Sequence, residues 1–249
     1  MKRQYFLNIP FDYLTLKTVS NEIIRLSENK SKKPNFITYV NANNLNLALI
    51  DKEYKEILSK ADLVYADGWG AVFALRFLNC ILPERISTDD FFLDLAAKLE
   101  EEKLSLFLLG SKEKVIRKAV LNLKKQFPKL KILGFQNGYN KRNETLTIIR
   151  RINKLKPDIL LVGMGSAKQE KWLHKHLPNL QIKVGWAVGG LFDFLAKEKP
   201  RCPKFIRNNG FEWLFRLFTE FRRLWKRYLI DLPIFLIRIL SLKFTTNLE

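Results

Sequence analysis

With 249 residues, 47% of them hydrophobic, the chain is long enough for one large domain, or a domain and an appendage, around a real core. Its formal net charge of +19 suits nucleic acid, anionic lipid or phosphorylated small molecules, and charge alone does not choose among them. Two cysteines, Cys80 and Cys202, exclude a disulfide framework and a CxxC site and fit a reducing cytoplasm.

In chain order, the first ten residues hold no long apolar run, so no signal peptide is expected. Residues 36–40 predict a buried strand, and 45–60 a helix with Leu45, Leu49, Tyr54, Ile57 and Leu58 mostly on one side. Residues 63–65 predict a short strand ended by a turn at Asp67 and Gly68. A helix is expected over 91–99, then a strand over 105–109 closed by Gly110 and Ser111, with its helix at 115–127. The next strand starts at 131–133, and 146–155 is helical. Residues 159–162 form a strand running into Gly163, Met164 and Gly165, with a helix from about Ser166; 182–188 form the last strand, ending at Gly189 and Gly190. Strand, glycine turn and helix, repeated, predict an α/β fold, Rossmann-like, with a mostly parallel sheet and crossover helices. Ligands of such sheets sit at the carboxyl ends of the strands. Composition shifts near Lys197, which divides the chain into an α/β core (1–195) and a basic, aromatic helical appendage (196–249).

In that appendage, residues 212–228 alternate aromatic and leucine positions with Arg216, Arg222, Arg223, Lys226 and Arg227 at helical spacing. The apolar stretch 232–242 is broken by Arg238 and is shorter than the roughly 20 residues that span a bilayer. Such a segment suits a membrane surface, with rings in the headgroup region and arginines on anionic phosphates. The expectation is a peripheral protein on the inner face of the plasma membrane, whose body works on something anchored there. Apolar tails also leave a homo-oligomer open.

Among single residues, Asp67 directly follows a strand. A carboxylate there acts as a general base if it reaches a substrate hydroxyl; an Asp-Gly turn, which is common, is the plainer local reading. Asn41, Asn43 and Asn44 follow the first strand, where asparagine is an N-cap or holds a sugar hydroxyl or a phosphate. Gly163 to Glu170 begins like a phosphate-binding turn, but Lys168 stands where a dinucleotide fingerprint has its third glycine. Ser166 and Gln169 fit a capping box, and the helix N-terminus still offers free amides to an anion. Arg85, in a loop after Pro83, is a surface arginine or a phosphate clamp. His174 and His176 are two apart and would point to different faces. HxxxH, a Cys/His ligand set, DxD, GxSxG and Walker A are all missing, so neither metal nor cofactor is expected. A leaving diphosphate would then rely on arginine, amides and helix dipoles.

The ordered set of these pieces resembles the WecG/TagA/CpsF family of bacterial glycosyltransferases over nearly the whole chain. It runs from Tyr39-Val40-Asn41 through Ala66-Asp67-Gly68, Glu84-Arg85-Ile86 and Leu109-Gly110-Ser111 to Gly163-Met164-Gly165-Ser166-Ala167-Lys168-Gln169-Glu170. It closes with Val188-Gly189-Gly190, Phe192-Asp193-Phe194, Arg201-Cys202-Pro203, Glu212-Trp213 with Arg216, and Arg222-Arg223 with Arg227-Tyr228. The resemblance implies inverting, metal-independent transfer from a UDP-sugar, with N-acetylmannosamine as the usual sugar, to polyprenyl-diphosphate-linked GlcNAc in teichoic acid or polysaccharide synthesis. It implies Asp67 as base, Arg85 and Gln169 as further catalytic positions, and the tail as a membrane dock where Arg216 and Arg223 meet the lipid diphosphate. Thr38, Tyr39, Asn41, Gly110, Ser111, Gly163, Gly165 and Asp193 are expected to line the substrate side. The chain departs from the family pattern at Tyr39, where a threonine is usual; at Ser87-Thr88, where the arginine motif usually reaches a glycine; at Ala167, usually proline; and at Cys202, usually alanine. Two alternatives remain in view: a basic nucleic-acid-binding α/β protein, which lacks a recognisable signature, and a nicotinamide oxidoreductase, which the incomplete fingerprint disfavours.

Overall fold

The computed structural model describes residues 2–28, 33–138, 144–198 and 202–246, without the side chains of residues 204, 208, 223, 245 and 246. The chain opens with an antiparallel hairpin, β1 (Arg3–Phe6) and β2 (Ile9–Asp12), followed by α1 (Leu16–Glu28). None of these three elements is in the strand–turn–helix pattern read from the sequence. Arg3 Nε donates to Asp12 Oδ1 at 2.6 Å, and Asp12 Oδ2 accepts from the Val64 amide at 2.8 Å, which pins the hairpin to the body.

The repeating α/β part runs β3 (Asn35–Val40), α2 (Ala42–Ile50), α3 (Lys52–Ser59), β4 (Leu63–Ala66), α4 (Trp69–Phe77), α5 (Thr88–Glu101), β5 (Ser105–Gly110), α6 (Glu113–Gln126) and β6 (Lys131–Gln136). It continues through α7 (Thr145–Leu155), β7 (Ile159–Gly163), α8 (Lys168–His176), β8 (Val184–Ala187) and α9 (Leu191–Leu195). The single helix expected over 45–60 is two. Asp51 leaves the helical region at φ −109° and its carboxylate accepts from the Tyr54 amide, ending α2 and capping α3. The helix α4 was read only as an Asp-Gly turn; Gly68, at φ 86°, is its N-cap.

All six strands from β3 to β8 are parallel, in the order β4-β3-β8-β7-β5-β6. Side chains of a strand alternate between faces, and both faces of this sheet are covered. Phe36 and Val40 face one core while Ile37 and Tyr39 face the other; Phe107 and Leu109 oppose Leu106 and Leu108 in the same way. That is why the strands read as unbroken apolar runs rather than alternating ones.

After α9 the chain leaves the sheet through α10 (Lys204–Asn208), α11 (Glu212–Thr219), α12 (Phe221–Lys226), a π-helical turn (Arg227–Asp231) and α13 (Leu232–Thr246). The apolar stretch expected to lie on a membrane is partly spent on the body. Phe235 and Ile239 are buried in the core beneath α2 and α4. Arg238, the charge that interrupts it, donates to Asn46 Oδ1 of α2. Among the described residues no helix is long and apolar enough to cross a membrane.

Candidate active site

A cavity of about 550 Å³ opens at the carboxyl ends of β3, β4, β5, β7 and β8, where open α/β sheets hold their ligands. Backbone closeness shapes one wall. Gly110 ends β5 at φ 143°, and a Cβ there would stand 2.1 Å from the Gly163 carbonyl; the Ser111 amide donates to that carbonyl at 2.9 Å. At Gly189, with φ 58°, an added Cβ would stand 2.2 Å from the Tyr39 hydroxyl. Gly163, Gly165, Ser166, Gly189, Gly190, Ser111 and Asp193 line this side. The Ser111 hydroxyl and Asp193 Oδ1 are 3.5 Å apart.

The capping box expected at Ser166 and Gln169 does not form. Ala167 takes the N-cap position of α8 at φ 65° with no side-chain cap; the Gln169 amide donates to the Gly165 carbonyl at 3.2 Å, and the Glu170 carboxyl accepts from its own amide and that of Ala167. Gln169 is fully buried instead. Its Nε2 donates to Glu170 Oε1 at 2.8 Å, and its Oε1 accepts from the amides of Gly189 (3.1 Å) and Met164 (3.4 Å). One side chain thus ties the glycine turns after β7 and β8 together. Burial pushes the Glu170 carboxyl up to about 7, although it accepts from Gln169 and Thr38. Thr38 is buried beneath the site, and Tyr39 lines it, with burial raising its phenol well above the usual range. Asn41 lines the cavity too and also caps α2, in a reciprocal pair with Asn44.

Asp67 stands on the opposite wall. Its amide donates to the Val40 carbonyl at 2.9 Å, which extends the β3–β4 pairing by one residue and holds the carboxylate at the rim. Burial and the Glu212 charge push it up to about 6, against the pull of Arg85, Arg216 and a Ser87 hydrogen bond. Asp89, on the first turn of α5, also lines the cavity, and burial raises it to about 7.

The tail supplies the rest of this wall. Arg207, Glu212, Phe215, Arg216 and Arg227 all line the cavity. Arg85 does not; it is buried behind the wall, where it donates to Asp90 and, at 3.4 Å, to Glu212. Arg207 Nη1 holds the other oxygen of Asp90 at 2.7 Å, and Arg216 Nε lies 3.6 Å from Glu212 Oε1. Burial opposes the Arg216 charge, but Glu212, Asp89, Tyr228 and Asp67 outweigh it, so the guanidinium stays a cation facing the cavity. Arg222 and Lys226 are exposed on α12, away from the cavity lining, with Lys226 Nζ 5.5 Å from the Trp225 ring. The Arg223 side chain lies outside what the structure describes.

The fold therefore brings Tyr39, Asn41, Asp67, Ser111, Gly163, Gly165, Asp193 and Arg216 to one cavity and sets Thr38, Arg85 and Gln169 just behind it. Sequence reasoning missed Ser87, Asp89 and Arg207. Asp89 reads locally as an ordinary acid in a first helical turn, and Arg207 as one basic residue among many. Among the described residues, no three His, Cys, Asp or Glu side chains gather into a metal-holding group.

A family-wide sequence profile, that of the glycosyl transferase WecG/TagA/CpsF family, matches residues 4–248, hairpin and tail included. The chain belongs to this family. As a member it is a glycosyltransferase, which decides against the nucleic-acid-binding and oxidoreductase alternatives. Among curated relatives, the N-acetylglucosaminyldiphosphoundecaprenol N-acetyl-beta-D-mannosaminyltransferase of Staphylococcus aureus strain NCTC 8325 / PS 47 is 29% identical over 237 residues, covering 95% of this chain and 92% of that protein. The proteins of that name from strains COL and MRSA252 match to the same extent. In this family member the matched span runs through both walls of the cavity, so the tail is part of what the relatives share.

Proposed function

We propose that this glycosyltransferase moves N-acetylmannosamine from a UDP-sugar to GlcNAc carried on a polyprenyl diphosphate, in one inverting displacement, for a cell-wall polymer. The observation that carries the proposal is the juxtaposition in one cavity of the Asp67 carboxylate, the glycine turns after β5, β7 and β8, and Arg216 from the tail. The printed activity of the Staphylococcus aureus relatives supports the choice of sugar and acceptor.

In this reading the UDP diphosphate lies along the Gly163–Gly165 turn and the N-terminus of α8, where the helix dipole meets its charge. Asp67 takes the proton from the acceptor hydroxyl. The freed oxygen pair bonds to the anomeric carbon from the side opposite UDP, the bond from that carbon to the phosphate oxygen breaks, and UDP leaves with its electrons. A base is needed because an alcohol is a weak nucleophile; such help contributes about 10²–10⁴-fold. Arg216 and Arg227 face the acceptor diphosphate, and the segment from 196 onward acts as the appendage that docks on the membrane. Arginines and amides balance the phosphate charge, so no metal is required.

The test is a screen of UDP-sugars against a short-chain polyprenyl-diphosphate-GlcNAc, read by mass spectrometry, with and without EDTA. One added N-acetylhexosamine, from UDP-N-acetylmannosamine alone, β-configured by NMR and at a rate EDTA leaves unchanged, is the expected result. Transfer from a different UDP-sugar would overturn the choice of donor. A rate that EDTA stops would overturn the metal-free mechanism.

A further inference from the structure

The body of the molecule, as well as its tail, carries exposed rings. On α4, Trp69, Phe73 and Phe77 recur every four residues and so share one face. The opposite face, with Ala71, Val72 and Leu75, is buried, while Phe73 is 57% and Phe77 44% exposed. Trp69 and Phe73 stack with ring centroids 5.4 Å apart. The Trp69 indole N–H donates to the Arg207 carbonyl at 3.2 Å, so the head of the stripe is tied to α10.

The helix α13 runs beside α4. Lys243 Nζ sits 5.6 Å from the centre of the Phe77 ring and donates to Asn79 Oδ1 at 3.2 Å. With Phe235 and Ile239 turned into the core, α13 has a second four-residue stripe, Leu236, Leu240 and Phe244, all exposed, Phe244 by 68%. Lys243 follows Leu236 by seven residues and Leu240 by three, so helical spacing sets it on the same flank. The two apolar stripes therefore adjoin across Lys243.

Charge selects the occupant. No acidic residue occurs between Asp67 and Glu84 or between Asp231 and Glu249, whereas Arg76 and Lys243 do. Aromatic rings and aliphatic side chains fringed by cations, without acids, match an anionic bilayer surface. Since α4 begins two residues after Asp67, a membrane against its exposed face also lies next to the cavity.

We propose that the α4 stripe and the α13 stripe form one composite surface that seats on anionic lipid, so that the body itself touches the membrane. This rests on the reading that the acceptor is membrane-linked. The test is flotation of the full chain with phosphatidylcholine vesicles, with and without phosphatidylglycerol. Phe73→Ser/Phe77→Ser is expected to weaken binding to the anionic vesicles by more than about tenfold, with an unchanged urea midpoint. Leu236→Ser/Leu240→Ser, on the other helix, is expected to do the same. Transfer to a short-chain, water-soluble acceptor should be unchanged in both variants, while transfer to a full-length acceptor in vesicles should fall. Wild-type flotation by the folded variants would overturn the proposal. So would a wild-type dimer in sedimentation velocity that the variants abolish without losing flotation, since the face would then belong to a second copy. A chain that floats through Phe73 and Phe77 yet transfers no sugar to a polyprenyl-diphosphate-linked acceptor would instead remove the proposed acceptor and leave this surface standing.

Discussion

Asp67→Asn is expected to lower turnover by about 10²–10⁴-fold with the fold intact. The backbone bond from residue 67 to Val40 does not involve the carboxylate, and asparagine fills the same space. The charge itself is unwelcome there. A carboxyl whose folded pKa is raised from 3.8 to about 6 by burial and by Glu212 weakens the fold as pH rises through that interval. Removing the charge should leave the variant at least as stable as the wild type at pH 7.5, which thermal unfolding will measure. The same shift sets the pH dependence of the rate. Only the ionised carboxylate accepts a proton, so activity should fall about tenfold per unit as pH drops below about 6 and level off above it. A fully active asparagine variant would remove Asp67 as the base.

Arg85→Met is the second large effect, and stability should register it first. Arg85 is enclosed with Asp90, and it is the link by which the body holds Glu212 of the tail. Taking away one partner of a buried ion pair leaves the other charge uncompensated and costs about 3–5 kcal/mol. Because Arg207 still holds the second Asp90 oxygen, the lower end is expected here. Urea unfolding measures it. Turnover should fall as well, since Glu212 and Arg216 would lose their anchor. Arg85→Lys should restore only part of both, because a point charge cannot fork between two carboxylates. A direct phosphate clamp would behave differently: KM would rise while the urea midpoint stayed in place.

Much of the framework was legible before any coordinates. The strands at 36–40, 105–109 and 159–162 lie in β3, β5 and β7, because a strand buried on both faces must be apolar throughout. The glycine turns were visible for a related reason. At Gly110 and Gly189 the positive φ and the neighbouring atoms leave no room for a side chain. Asp67 stood out because it directly follows a strand. The hairpin β1–β2 was not legible: four-residue strands show too little alternation, and its hold on the body depends on Asp12 reaching Val64, far along the chain. Residues 45–60 misled by their continuous helical period, which the Asp51 side chain interrupts by capping.

Local pattern was therefore enough for the layered sheet and for the edge at which its cavity opens, since both follow from backbone periodicity and from conformations that few residues tolerate. Which side chains meet the cavity was a matter for the assembled fold. Arg85 joins Glu212 across 127 positions of sequence, Gln169 turns inward to brace two loops, and Phe235 and Ile239 of α13 are consumed by the core. Those outcomes depend on distances between remote segments, and no stretch of neighbouring residues encodes such distances.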